Sequence, residues 1–388
     1  MKKLWLTLVF LLSWGATAYA QNPNPPGHSS THVNHRKYKG GDLHEATTDG
    51  VTDGIVFWKN GTSQAIHNGK LGKWFPASWP AETLIVGDAV ADGGLPPIQP
   101  KIPSLGYTTA QAAYMAGKMG GSPSPPPLDS TVVIDDYVFV TPAQVTKWGG
   151  LTSAINQVHL AEDAMNDALA HAGINARQRV VGISQYDQSG QTDNWNNDFN
   201  AFAIRVQQGN FNTQRAATGW DTITLMRSDG VRQGVCGTAY IFNSVYPLHV
   251  VDGDCATSNV SYGHECGHTF GLCHNYHETG CTPAAICGAT GVGYGTGAFR
   301  TVMSYNGGPR TTQYSAPPPA VWWKDGISAV GIAGQTDATR CIKLTMATVA
   351  GWHATVIVVQ PPEHTAPVLT LWTPVPHTAP TLLQWVTQ

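Results

Sequence analysis

The sequence predicts an α/β sandwich over residues 131 to 352, preceded by a β-rich region of different composition. Three observations predict it. Strand-like and helix-like periodicities alternate from residue 131 onward, which is the pattern of a layered α/β domain. All seven cysteines lie after residue 235. A run of Gly120-Gly121-Ser122-Pro123-Ser124-Pro125-Pro126-Pro127, which can join neither a packed sheet nor a helix, separates the two parts as a linker over 120–130.

The elements follow in order. Val132 to Thr141 is β-branched and aromatic, hence a strand. Leu151 to Ala172 carries Leu151, Ile155, Val158, Met165, Leu169 and Ala172 at helical spacing, and Gly173 is a natural stop. Arg177 to Ile183 reads as a strand, and Asp198 to Gln208 as a second helix with Asp198 as its N-cap. Ile223 to Met226, Ala239 to Phe242 and Leu248 to Val251 read as three more strands. On the long helix, His159 and His171 read as surface or hydrogen-bonded core residues.

The chain opens with Lys2 and Lys3, an apolar run from Leu4 to Leu12, and Ala18-Tyr19-Ala20. That layout predicts a secretory signal peptide over 1–20, with the mature protein starting at Gln21 and exported. No other stretch is apolar for long enough to cross a bilayer, so stable membrane insertion is not expected. Charged residues make up 12% of the chain and the net charge is -3. Nothing in that balance attracts nucleic acid or anionic lipid.

Residues 21–119 contain no cysteine and hold β-like runs such as Ile55-Val56-Phe57-Trp58. His28, His32, His35 and His44 read as part of a polar tail rather than as a metal site. Asp49-Gly50 and Asp53-Gly54 are fragments of a calcium loop without its full ligand pattern, so calcium has no support in the sequence. Residues 353–388 are Pro-rich, with His364-Thr365-Ala366-Pro367 repeated as His377-Thr378-Ala379-Pro380, and read as an extended tail.

In an oxidising compartment Cys236, Cys255, Cys266, Cys273, Cys281, Cys287 and Cys341 read as disulfide formers before metal ligands. The count is odd, so one thiol is left over or pairs between chains. Connectivity does not follow from sequence; the preferred pair is Cys236 with Cys255, which flank two predicted neighbouring strands.

The chemistry concentrates in His264-Glu265-Cys266-Gly267-His268-Thr269-Phe270-Gly271-Leu272-Cys273-His274. Residues four apart on a helix share a face, so His264 and His268 can grip one ion. Gly271 lets the chain leave the helix through a left-handed turn that brings His274 to a third corner. Three neutral imidazoles leave one tetrahedral position of Zn2+ open for water. Glu265, next to the first ligand, can take that water's proton as general base and pass it to a leaving amine. His277 reads as a loop residue, since three ligands are already supplied. Cys266, roughly opposite His264 on the helix, reads as facing the interior.

A lone His-Glu-x-x-His is common by chance, but the eleven-residue pattern is specific. Together with Thr301-Val302-Met303-Ser304-Tyr305, which is similar to a Met-turn, it resembles the metzincin zinc peptidases. Residues 131–352 resemble the secreted bacterial reprolysin (adamalysin)-like members, through Cys236-Gly237-Thr238-Ala239-Tyr240, Gly293-Tyr294-Gly295 and Gly331-Ile332-Ala333-Gly334-Gln335-Thr336-Asp337. The resemblance implies a twisted, mostly parallel sheet with an antiparallel edge strand, a zinc-site helix, and Met303 as a floor beneath the imidazoles. It implies that a protein or peptide substrate pairs with the edge strand Gly237, Thr238, Ala239 and Tyr240. Asn275 stands where reprolysins carry Asp. Tyr305 resembles the tyrosine of astacins and serralysins that reaches the metal or the oxyanion, which makes it a second catalytic candidate beside Glu265.

Many metzincins carry a zinc-covering propeptide, so residues 21–119 read as a propeptide or as a permanent N-terminal domain. Ile85-Val86-Gly87-Asp88 is faintly similar to the Phe-x-Gly-Asp of astacin propeptides, whose Asp caps the zinc. The resemblance thus implies a secreted zinc endopeptidase. The alternatives are an inactive zinc-containing binding protein and a zinc hydrolase of a non-peptide amide. Glu265 weighs against the first, because a structural site needs no base.

Overall fold

The computed structural model describes residues 23–25, 27–58, 62–75, 132–186, 194–230, 233–276 and 281–354. The expected signal peptide, the Pro/Ser linker, Asp88, His277 and the tail beyond 354 lie outside the described residues.

Two sheets are present among them. The first is an antiparallel meander of β1 (His32–Tyr38), β2 (Gly41–Thr48), β3 (Val51–Phe57), β4 (Ser63–His67) and β5 (Lys70–Phe75), paired in that order. Here the reading of a polar histidine tail is corrected. His32 and His35 belong to β1 and His44 to β2, with His35 directly opposite His44. Asp49 and Gly50, at φ 51° and 77°, make the tight turn between β2 and β3, the left-handed pair that a two-residue hairpin favours.

The second sheet has the order β7 (Ala176–Gln185), β6 (Val132–Val140), β8 (Thr222–Arg227), β10 (Leu248–Asp252) and β9 (Gly237–Ala239). β7, β6, β8 and β10 run parallel, and β9 is antiparallel at the edge. The predicted strand Ala239 to Phe242 is therefore shifted. Phe242 sits at φ 42° and its N–H donates to the His268 carbonyl at 3.0 Å instead of to β10.

The helices are α1 (Pro142–Lys147), α2 (Leu151–His171), α3 (Trp195–Gln207), α4 (Asn212–Thr218), α5 (Gly253–Ala256), α6 (Ser261–Thr269) and α7 (Ala338–Val349). One core joins β6 and β7 to α2, α6 and α7 through Ile155, Val158, Met165, Leu169, Phe270 and Ile342. The other face of the sheet packs Phe139, Ile223 and Leu225 against Phe199, Phe202 and Phe211 around α3 and α4. The α/β sandwich follows from these two apolar layers.

The start of α3 differs from the sequence expectation. Asn194 is the N-cap, its side chain accepting from Asn197 N–H at 3.0 Å. Asp198 lies in the first turn, buried and ion-paired with the fully buried Arg227, whose guanidinium also faces the Trp195 ring. A buried charge needs such a partner.

α2 also carries the N-terminal sheet. Asn156, fully buried, donates to Val51 O at 3.0 Å and Asp53 Oδ2 at 2.8 Å, and accepts from Thr48 Oγ at 2.7 Å. His159 joins Glu162 at 2.8 Å and Asn24 at 3.0 Å. His171 stacks on Trp323 at 4.1 Å. Both are satisfied, as expected. The disulfides are Cys236–Cys255, Cys273–Cys281 and Cys287–Cys341; Cys266 is a buried free thiol. The preferred pair is thus present. No helix among the described residues is long and apolar enough to cross a membrane.

Candidate metal centre

α6 begins after Val260 and lies buried along its length. His264, Glu265 and His268 are each 0% exposed. Phe270 caps the helix, Gly271 takes φ 96°, and the chain returns to place His274 beside the other two. A ring nitrogen from each of the three histidines lies within 4.8 Å of the others. His268 Nε2 and His274 Nε2 are 3.0 Å apart.

The donor set fits a metal ion on its own chemistry. His264 Nδ1 is 2.8 Å from the Val302 carbonyl, and His268 Nδ1 is 2.8 Å from the Leu272 carbonyl. A carbonyl only accepts, so each Nδ1 carries the proton and each Nε2 presents a lone pair. Such outer hydrogen bonds orient metal-binding imidazoles.

The segment beneath the histidines is close-packed. Met303 is fully buried, and a Cβ on Gly267 would overlap its sulfur. A Cβ on Gly293 would stand 2.6 Å from Met303 C, so this backbone passes directly against the turn. Arg300, 4% exposed, donates to Tyr305 O at 3.1 Å and to Asn259 Oδ1 at 3.3 Å. The Tyr305 ring stacks on His274 at 4.0 Å, and its hydroxyl is 2.8 Å from His274 Nε2. Ser304 Oγ donates to Asn275 Oδ1 at 2.9 Å. The position where reprolysins carry Asp thus still holds the chain after His274 to the turn.

Glu265 faces β9. A Cβ on Gly237 would lie 2.5 Å from Glu265 Cδ, so the carboxylate sits directly against the edge-strand backbone. Thr238 is fixed by the Trp195 indole N–H at 2.9 Å. Tyr240 falls just past the strand and stacks on Tyr246 at 4.9 Å; burial pushes its hydroxyl up to about 12.

A buried polar chain lies behind α6, and the motif reading missed it. Asp136 accepts from Thr222 at 2.8 Å, Thr224 at 2.6 Å and Tyr262 at 2.7 Å. Burial pushes Asp136 up to about 6, against the pull of those hydroxyl donors. His249 Nε2 is 2.7 Å from Thr224 Oγ and 3.7 Å from Cys266 Sγ, and burial pushes its imidazole down to about 3. The Cys266 thiol is pushed well up by burial, which makes it inert rather than reactive. The only sequence signal was two aspartates inside an otherwise apolar strand.

The chain resembles known proteins. It is 28% identical over 234 residues to a peptidyl-Asp metalloendopeptidase of Stenotrophomonas maltophilia, covering 56% of this chain and 52% of that protein. A peptidyl-Asp metalloendopeptidase of Xanthomonas campestris pv. campestris is 28% identical over 237 residues, covering 58% and 52%. The chain therefore spans about half the length of the curated relatives it matches. The crystal structure of metalloproteinase-II from Bacteroides fragilis aligns with 72% of this chain and 75% of its own at 11% identity. Its TM-score is 0.33. The family model for metallo-peptidase family M12B, reprolysin-like, matches residues 137–333. That span runs from within β6 through the rest of the parallel sheet, the three convergent imidazoles and the turn beneath them, and the chain belongs to the reprolysin-like metallo-peptidase family M12B.

Proposed function

We propose that this protein is a secreted zinc endopeptidase, with His264, His268 and His274 holding the ion and Glu265 as general base. The observation that carries the reading is the convergence of three imidazole nitrogens within 4.8 Å, with the carboxylate of Glu265, the residue after His264, packed against Gly237 of the edge strand. Membership of a metallo-peptidase family implies a metal ion and protein substrates; three imidazoles, two of them held in a fixed tautomer, suit zinc. When bound, zinc polarises a carbonyl and lowers the pKa of its water to about 7.

The chain's own residues do the rest. An extended peptide pairs by strand addition with the outer edge of β9, a strand that is buried in the full chain. That places the scissile carbonyl between Glu265 and His274. Glu265 takes a proton from the attacking water and returns it to the leaving nitrogen as the C–N bond breaks. The Tyr305 hydroxyl, held over His274, donates to the oxygen that gains negative charge. Met303 and Arg300 keep the floor rigid.

The domain division over 1–20, 21–119, 120–130, 131–352 and 353–388 belongs to the same reading, with residues 21–119 as a propeptide or N-terminal domain. Three disulfides favour an oxidising, exported setting. The relatives' name suggests cleavage beside aspartate.

The test is cleavage of casein and a quenched peptide library by secreted protein, with cut sites mapped by mass spectrometry. Phenanthroline should abolish cleavage and zinc should restore it, with cuts enriched beside Asp. No cleavage by the full chain or by a form cut near residue 130 would overturn the reading.

A further inference from the structure

We propose that His35, His44, Asp163 and Asp167 form a second metal site, which takes a zinc-class ion and ties the N-terminal sheet to α2. The site is separate from the three histidines on and after α6 and does not depend on the peptidase reading.

Backbone geometry assembles it. β1 and β2 pair with His35 opposite His44, so both rings project from one face of the hairpin, with centroids 4.0 Å apart. Asp163 and Asp167 are four apart on α2 and share the helix face beneath that hairpin. One donor atom from each of the four lies within 4.8 Å of the others. Asp163 Oδ2 is 2.7 Å from His35 Nε2 and 2.8 Å from His44 Nδ1. Ligands of one tetrahedral zinc stand about 3.4 Å apart, from metal–ligand distances near 2.1 Å. Small side-chain rotations therefore close the set without moving backbone.

The donor chemistry selects the ion. Two imidazoles with two carboxylates suit zinc and its neighbours, whereas calcium and magnesium take oxygen ligands. Electrostatics point the same way. Arg36 and Lys37, on the same strand, are paired with Glu45 and Asp42. His44 is buried, the two aspartates are half-buried and His35 is exposed. His35, His44 and Asp167 line a pocket of about 430 Å³, which gives an ion a way in.

The experiment uses the full chain, stripped with a chelator and titrated with zinc alone, with bound metal counted by mass spectrometry. To separate the two sites, the titration is run in a His264→Ala background. One equivalent should still bind there, and His35→Ala or Asp163→Asn added to that background should weaken it at least tenfold. His35 is exposed, so its replacement keeps the fold even where His44→Ala does not. Zinc should also slow hydrogen exchange in β1 and β2, and should not do so in His35→Ala. If the His264→Ala protein takes up no zinc, or binds it equally well without His35 and Asp163, the cluster is only an ion-pair network and the proposal is overturned.

Discussion

Gly237 on β9 and Glu265 on α6 are packed so closely that a Cβ on the glycine would lie 2.5 Å from Glu265 Cδ. The edge strand and the proposed general base are thus one mechanical unit. Gly237→Ala should push the carboxylate aside, and displacement of a reacting group by about 1 Å costs about 10²-fold in rate. Overpacking costs about 1–3 kcal/mol of stability. We expect kcat/KM to drop about a hundredfold while bound zinc stays at the wild-type level. Wild-type kcat/KM in a folded Gly237→Ala protein would mean the contact has no role in the reaction.

Gly267 and Met303 make a second contact of this kind, beneath the histidines. A Cβ on Gly267 would overlap the Met303 sulfur. Gly267→Ala should lower stability by about 1–3 kcal/mol through overpacking and weaken zinc binding, because the floor and both helical histidines must shift. Combining it with Met303→Ala should recover part of the loss. Urea unfolding of both proteins measures this, and strict additivity would count against the contact.

The disulfides should differ in weight. Cys287–Cys341 closes a loop of 54 residues and Cys273–Cys281 one of 8. Loop-closure entropy gives about 4 kcal/mol for the first and about 2.5 kcal/mol for the second. Paired Cys→Ala variants should therefore lose stability in that order by denaturant unfolding. The reverse order would show that packing around the sulfurs outweighs chain entropy.

The motif was legible because its chemistry is local. Helical spacing put His264 and His268 on one face, and Gly271 took the left-handed turn expected of it. Long-range pairing was not legible. Asp136 meets Tyr262 across 126 positions and His35 meets Asp163 across 128, and no periodicity encodes such partners. Asp198 read as an N-cap because Asp is a good one; its burial beside Arg227 could be seen only once α3 lay against β8. Phe242 read as strand on its β propensity, but its backbone bonds to α6.

The polar chain behind α6 predicts a pH effect. His249 is held down to about 3, whereas an unfolded histidine titrates near 6.5. Between those values the unfolded state binds the extra proton. Stability from this residue is complete above about 6.5 and is lost as the pH falls, by up to about 1.4 kcal/mol per pH unit. Asp136, held up at about 6, acts in the opposite sense between the ordinary carboxylate range and 6, because there the folded state binds the extra proton. Cys266 and Tyr262 also face the imidazole. In chelated protein, the fall in Tm from pH 6.5 to 5 should be smaller in His249→Gln than in wild type. Equal falls would place the acid sensitivity elsewhere.

Tyr305 stands over His274 with its hydroxyl 2.8 Å from Nε2. Removing that hydroxyl takes away the proposed donor to the developing oxyanion but leaves the ring in place. Tyr305→Phe should lower kcat by about 10²-fold, in line with loss of one oxyanion donor, and leave KM and zinc content nearly unchanged. Unchanged kcat would reduce Tyr305 to a packing residue.

The most direct measurement compares wild type with Glu265→Gln, purified from the secreted fraction, for bound zinc and for turnover of one mapped peptide. The substitution keeps the side chain's size against Gly237 and removes its ability to take a proton. If Glu265 is the general base, both proteins should hold equal zinc at the three histidines, and Glu265→Gln should lose at least about 10²-fold in kcat, the lower range for general-base catalysis. Equal turnover by both proteins, with zinc bound, would contradict it.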